Sequence, residues 1–126
     1  MTKLLGLFLA ITLVAVACGG DDDTTSYSTA TQAPTAATTV AVTAVNFAFD
    51  KPSISVPRNT QVTVNFTNSD ANAPHDFGVS IPGASRVAVC AGPCVGSVTF
   101  NSGAAAGSFV FNCNVHPTMT GTFAVT

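Results

Sequence analysis

The sequence predicts an all-β domain, an antiparallel β-sandwich of seven to eight short strands with Greek-key connections. Apolar residues alternate with polar or small ones through most of the chain after Val40. Clusters of Pro, Gly, Asn and Ser separate these stretches at the spacing of turns. No helical period, phosphate-binding loop or internal repeat is present in the sequence. These patterns together favour two packed sheets over any helical fold.

The N-terminal residues predict export from the cytoplasm. Lys3 precedes an apolar run over residues 4–16, which is shorter than the roughly 20 residues that span a bilayer. We therefore expect residues 1–17 to be a signal peptide. Cys18 follows directly, and the segment resembles a bacterial lipoprotein signal, in which this cysteine is acylated after cleavage. Ordinary cleavage and secretion is the alternative.

Residues 18–39 predict a disordered, lipid-anchored tether, since they are rich in Gly, Asp, Thr and Ala and have no period that could bury a face. The folded domain is then expected over residues 40–126. Its alternating stretches, in chain order, are 45–49, 54–56, 62–66, 77–81, 87–89, 98–100, 109–111 and 123–125. Turn formers occupy 57–60, 68–74, 82–84 and 102–107 between them.

The residues after the stretch at 109–111 predict a metal-binding motif. Cys113, His116 and Met119 are spaced three residues apart, and Pro117 disfavours a helix at His116. Thiolate, imidazole and thioether are ligands that suit copper in both of its common oxidation states. The motif therefore predicts a loop that curls around one copper ion.

Strand parity brings a second histidine to the same place. Cys113 shares the parity of Phe109 and Phe111, so its thiol is expected to point into the core. His75 shares the parity of Phe77 at the start of its strand. Both can therefore meet at one end of the sandwich. The predicted ligands of a single ion are His75, Cys113, His116 and Met119.

These residues resemble the cupredoxins, the type 1 blue copper proteins of the plastocyanin and amicyanin type. The resemblance covers about residues 45–126 and includes the Pro74–His75 pair as well as the spacing of the ligand loop. It implies two histidines and Cys113 as equatorial ligands, with Met119 as a long axial one. Asp76 would stand beside the first ligand, where many members have a hydrogen-bonding Asn. A solvated strand residue is the alternative for Asp76.

Cys90 and Cys94 flank the sequence Ala-Gly-Pro. In an exported protein, two such close cysteines most often form a disulfide, which we expect here. Free thiols or metal ligands are the alternatives. A zinc site built from both of them with Cys113 and His116 has the right ligand types, but it leaves His75 and Met119 unexplained.

The predicted function is electron transfer, one electron at a time, by a copper ion that alternates between Cu(II) and Cu(I). The resemblance implies that His116 reaches the surface and that redox partners dock transiently on an apolar patch, for which Pro74, Val115 and Pro117 are candidates. The charges after Val40 cancel, so nucleic acid is not expected as a partner. We expect a monomer anchored outside the cytoplasm.

The sequence leaves one rival function open. A protein that holds or delivers copper could use the same ligands without carrying electrons. Copper handlers tend to have further Met or His outside the site, whereas Met119 is the sole Met outside the signal peptide. An enzyme is not expected. Two histidines are too few for a multicopper oxidase, and a cysteine protease is not indicated because Cys113 and His116 lie on one loop with no helix start to activate the thiol.

Overall fold

The structure, a computed structural model, describes residues 33–126. The predicted signal peptide, Cys18 and the tether up to residue 32 lie outside the described residues. Within residues 33–126 there are nine strands and no helix, and hence no helix long and apolar enough to cross a membrane. The strands are β1 (Ala36–Val45), β2 (Ala48–Phe49), β3 (Ser53–Val56), β4 (Thr60–Asn68), β5 (Pro74–Val79), β6 (Val87–Ala91), β7 (Cys94–Asn101), β8 (Gly107–Asn112) and β9 (Thr120–Val125).

The strands form two sheets, with the orders β2-β1-β4-β7 and β3-β9-β8-β5-β6. The predicted β-sandwich is therefore confirmed, with one short strand more than expected. Two pairings, β1 with β4 and β3 with β9, are parallel, which the sequence did not predict. Parallel neighbours need a crossover between them, and β2 and β3 supply one for β1 and β4.

The first strand differs from its prediction at both ends. β1 begins at Ala36, so residues 36–39 pair with β4 instead of belonging to the tether. The alternation expected over residues 45–49 is also wrong, because the buried residues of β1 are Val42 and Ala44. Asn46 and Phe47 form a two-residue turn with φ of 52° and 57°, the conformation of a type I′ hairpin. This turn directs Phe47 away from the core.

The core beneath the ligand loop is aromatic. Phe77 of β5 and Phe111 of β8 are fully buried, with ring centroids 5.4 Å apart, and Phe49 packs edge-on against both. Gly121 of β9 lies opposite Phe111 and leaves room for its ring. The strands that lead to the predicted site are thus fixed by close packing.

Candidate metal centre

The start of β5 and the end of β8 lie at the same end of one sheet, because the two strands pair antiparallel through Gly78 and Asn112. His75 is the second residue of β5, and Cys113 directly follows β8. Both side chains are fully buried. The inward direction that strand parity predicted for them is therefore observed.

The segment from Cys113 to Met119 is a closed loop. The Cys113 N–H donates to the Met119 carbonyl at 3.0 Å, and the Met119 N–H donates to the His116 carbonyl at 2.9 Å. Met119 is buried at 2% exposure, whereas His116 is only half-buried. Main-chain hydrogen bonds therefore fix the loop at both ends and at its middle.

Three donor atoms converge inside this loop. Cys113 Sγ is 3.9 Å from Nδ1 of His75 and 3.9 Å from Nδ1 of His116, and the two Nδ1 atoms are 3.1 Å apart. One ion with bonds of about 2.0–2.3 Å fits among donors at such spacings. A thiolate with two imidazoles, beside a buried thioether from Met119, is the donor set of blue-copper sites. The site fits a single copper ion.

Asp70 fixes the orientation of His75. Its Oδ2 is 2.9 Å from Nε2 of His75 and accepts that N–H, so the lone pair of Nδ1 faces the other two donors. The same carboxylate accepts the N–H groups of Asn46 at 2.6 Å and Phe47 at 2.8 Å. These hydrogen bonds lower the pKa of Asp70 despite its partial burial, and the bond from the Phe47 N–H has the largest effect. Asp70 thus ties the β1–β2 turn to the first histidine.

Phe47 covers the two histidines. Its ring packs edge-on against His75 at 5.4 Å and against His116 at 5.0 Å between centroids, while 56% of the residue stays exposed. Neither this role nor that of Asp70 follows from the sequence. The alternation over residues 45–49 predicts a half-buried strand at Phe47, and only Asn46, a common turn residue, indicates otherwise.

Asp76 lies next to the ligand loop and is not a solvated strand residue. It is 3% exposed and accepts hydrogen bonds from Arg86 Nε at 3.0 Å and from the Asn114 N–H at 2.6 Å. Burial raises the pKa of Asp76, but these two hydrogen bonds, the Cys113 side chain and the positive charge of Arg86 together outweigh burial and lower it. The carboxylate is therefore ionised at neutral pH.

The predicted disulfide is confirmed. Cys90 and Cys94 are bonded across the Gly92–Pro93 turn, with their Cα atoms 6.4 Å apart. Cys90 pairs with His75 between β6 and β5, so the bridge lies beside the first ligand strand. Neither sulfur is free to bind metal. The zinc site that would have used both cysteines is therefore excluded.

Comparisons with known proteins agree with this geometry. No protein-family model and no curated protein matches the chain. Among solved structures, auracyanin B is 26% identical, with a TM-score of 0.62, over 74% of this chain and 90% of that one. Auracyanin A, a "blue" copper protein from Chloroflexus aurantiacus, is 20% identical, with a TM-score of 0.62, over 71% and 99%. Amicyanin from Paracoccus versutus is 22% identical, with a TM-score of 0.52, over 70% and 81%. The chain has the cupredoxin fold.

Proposed function

We propose that this protein is a one-electron carrier with a single type 1 copper ion, and that it is not an enzyme. The observation that carries the proposal is the triangle of donor atoms from His75, Cys113 and His116, at 3.1–3.9 Å from one another. Met119 would supply the weak fourth bond. When bound, copper supplies a couple, Cu(II)/Cu(I), that accepts and returns one electron.

The chain's own contribution is to hold the donors still. His75 is oriented by Asp70, Cys113 is fully buried in the same core as Phe111, and His116 lies on a loop closed by main-chain hydrogen bonds. Buried, close-packed side chains resist displacement. The donors therefore need not rearrange when the charge of the ion changes, which favours fast electron transfer.

The route for electrons runs through His116, which is the only half-exposed member of the donor triangle. We call the apolar residues next to the two histidines the His116 face: Phe47, Pro74, Val115 and Pro117, all exposed. We propose that redox partners dock on this face transiently. The charged side chains after Val40 balance, three basic against three acidic, which suits apolar and short-lived contact.

Backbone strain at Phe47 supports a role in docking. A non-Gly residue held at positive φ costs about 1–3 kcal/mol, and hairpin turns of this type favour Asn or Gly at both central positions. Phe47 has φ of 57° and an exposed ring. Such strain is typical of functional positions, and here it presents an aromatic ring above His116.

We further propose that the mature chain is monomeric and is anchored outside the cytoplasm by a lipid on Cys18. The disulfide between Cys90 and Cys94 supports an oxidising compartment, and the tether from Cys18 would let the domain reach its partners. Labelling cells with a radioactive fatty acid tests the anchor. The wild-type chain should incorporate label and Cys18→Ser should not, whereas label-free wild type would favour simple secretion.

The rival function is copper delivery, and one experiment separates the two. The copper-loaded chain is reduced and reoxidised through repeated cycles in the presence of a Cu(I) chelator, and the copper that remains is measured. A carrier keeps its copper over many cycles because its donors are buried and fixed. Loss of most of the copper to the chelator in the first reduced state would overturn the proposal and favour delivery.

A further inference from the structure

The ion pair between Asp76 and Arg86 holds the chain on both sides of Cys113. Asp76 Oδ1 accepts the N–H of Asn114, the residue after Cys113, at 2.6 Å. Arg86 donates from Nη1 to the side-chain oxygen of Asn112 at 3.1 Å and from Nη2 to its carbonyl at 2.8 Å. The pair itself closes through Nε and Oδ2 at 3.0 Å. Two opposite charges thus flank the thiolate ligand.

Gly78 provides the space that Arg86 occupies. A Cβ at this position would overlap Nη1 of Arg86 and would lie 2.5 Å from its Cζ and 2.6 Å from its Cγ. Gly78 pairs with Asn112 across β5 and β8, so the guanidinium lies over the pairing that leads into Cys113. Any side chain at position 78 would push Arg86 off this site.

The charges of the pair differ in their access to solvent. The Asp76 side chain is 4% exposed, whereas that of Arg86 is 31% exposed. A buried carboxylate without a partner is costly, and its field is poorly screened. Left alone, the charge of Asp76 would stabilise the more positive Cu(II) state of an ion bound by Cys113. Arg86 opposes that field from the adjacent position.

We propose that Arg86 is a positioning residue of the copper site. It holds the Asp76 carboxylate against the ligand loop and cancels its charge, so that the reduction potential is higher than it would be beside an unpaired carboxylate. The inference rests on the proposed electron-transfer site. It assigns a function to three residues that bind no metal: Asp76, Gly78 and Arg86.

The test is a set of reduction potentials measured on the copper-loaded chain. Arg86→Met should shift the equilibrium toward Cu(II) about tenfold, which is about 59 mV for a one-electron couple. Arg86→Lys keeps the charge and should stay within about threefold of wild type. The double variant D76N/R86M removes both charges and should return to within the same range. Arg58→Met, an exposed residue outside the loop, is the matched control and should not shift.

Two results would overturn the inference alone: a blue Arg86→Met protein with an unshifted potential, or a double variant as low as Arg86→Met. A wild-type chain without a blue band would overturn the proposed function and this inference together. A measurement on the copper-free chain tests the ion pair even if a variant fails to bind copper. In urea unfolding, the effects of Asp76→Asn and Arg86→Met should be less than additive, because either one breaks the same pair. Additive effects would contradict the pair.

Discussion

Replacing Asp70 with Asn should weaken copper binding about 10–100-fold, the usual cost of losing the partner that orients a ligand histidine. Asp70 Oδ1 accepts the Asn46 N–H, and Oδ2 accepts both the Phe47 N–H and Nε2–H of His75. An amide has one oxygen, so its NH₂ group must face at least one of these three donors. In either orientation of the amide, the β1–β2 turn or His75 loses a hydrogen-bond acceptor. The hydrogen bonds that remain are weaker, because their acceptor no longer carries a negative charge.

The assay is competition for copper against a chelator of known affinity, at neutral pH. Asp50→Asn is the matched control, because Asp50 accepts the Thr43 N–H at 2.7 Å in the same hairpin region but, within residues 33–126, hydrogen-bonds no histidine. The control should bind copper within about threefold of wild type. If Asp70→Asn also binds within threefold, Asp70 does not orient His75 and the reasoning is wrong.

Three other changes follow from particular contacts. Gly121→Ala should lower the free energy of unfolding by about 1–3 kcal/mol, because the added Cβ would lie 2.6 and 2.7 Å from two atoms of the Phe111 ring. Measured by urea unfolding, the same substitution should lose less stability in a Phe111→Leu background, and an equal loss would contradict the overlap with the ring. Phe47→Gly should leave the free energy of unfolding within about 1 kcal/mol of wild type, since relief of the positive φ offsets the lost packing of the ring. It should slow electron exchange with a partner that docks through apolar contacts roughly tenfold, and an unchanged stopped-flow rate would exclude Phe47 from the docking face. Hydrogen bonds from Arg86 and Asn114 help to lower the pKa of Asp76 below its ordinary 3.8, so the stability that the ionised carboxylate adds to the fold is complete above pH 3.8 and is lost as the pH falls below it. Between pH 5 and about pH 3, the urea midpoint of the copper-free chain should therefore fall less in Asp76→Asn than in wild type. An equal fall in the two proteins would exclude this contribution of Asp76.

The ligand residues could be predicted because their placement follows from local rules. The spacing of Cys113, His116 and Met119 is written in the sequence, and the period of two in a strand fixes which way Cys113 and His75 point. The disulfide could be predicted equally well, since only three residues lie between Cys90 and Cys94. The sandwich itself followed from alternation and turns.

The residues around the ligands could not be predicted, because their contacts join distant parts of the chain. Asp70 meets the turn at Asn46 and Phe47 across 24 and 23 residues, and no local pattern pairs them. The register of β1 depends on nine pairings with β4, which set a parity opposite to the one that Phe47 and Phe49 suggested. The parallel direction of that pairing is likewise a property of the whole topology.

The central claim is that His75, Cys113, His116 and Met119 bind one copper ion in a blue site. The most direct test adds one equivalent of Cu(II) to the purified soluble domain and records its visible spectrum. We predict an intense blue thiolate-to-copper band that ascorbate bleaches and an oxidant restores, in wild type and equally in a Cys90→Ser, Cys94→Ser control that keeps Cys113. A colourless complex, or a band that survives Cys113→Ser, would contradict the account.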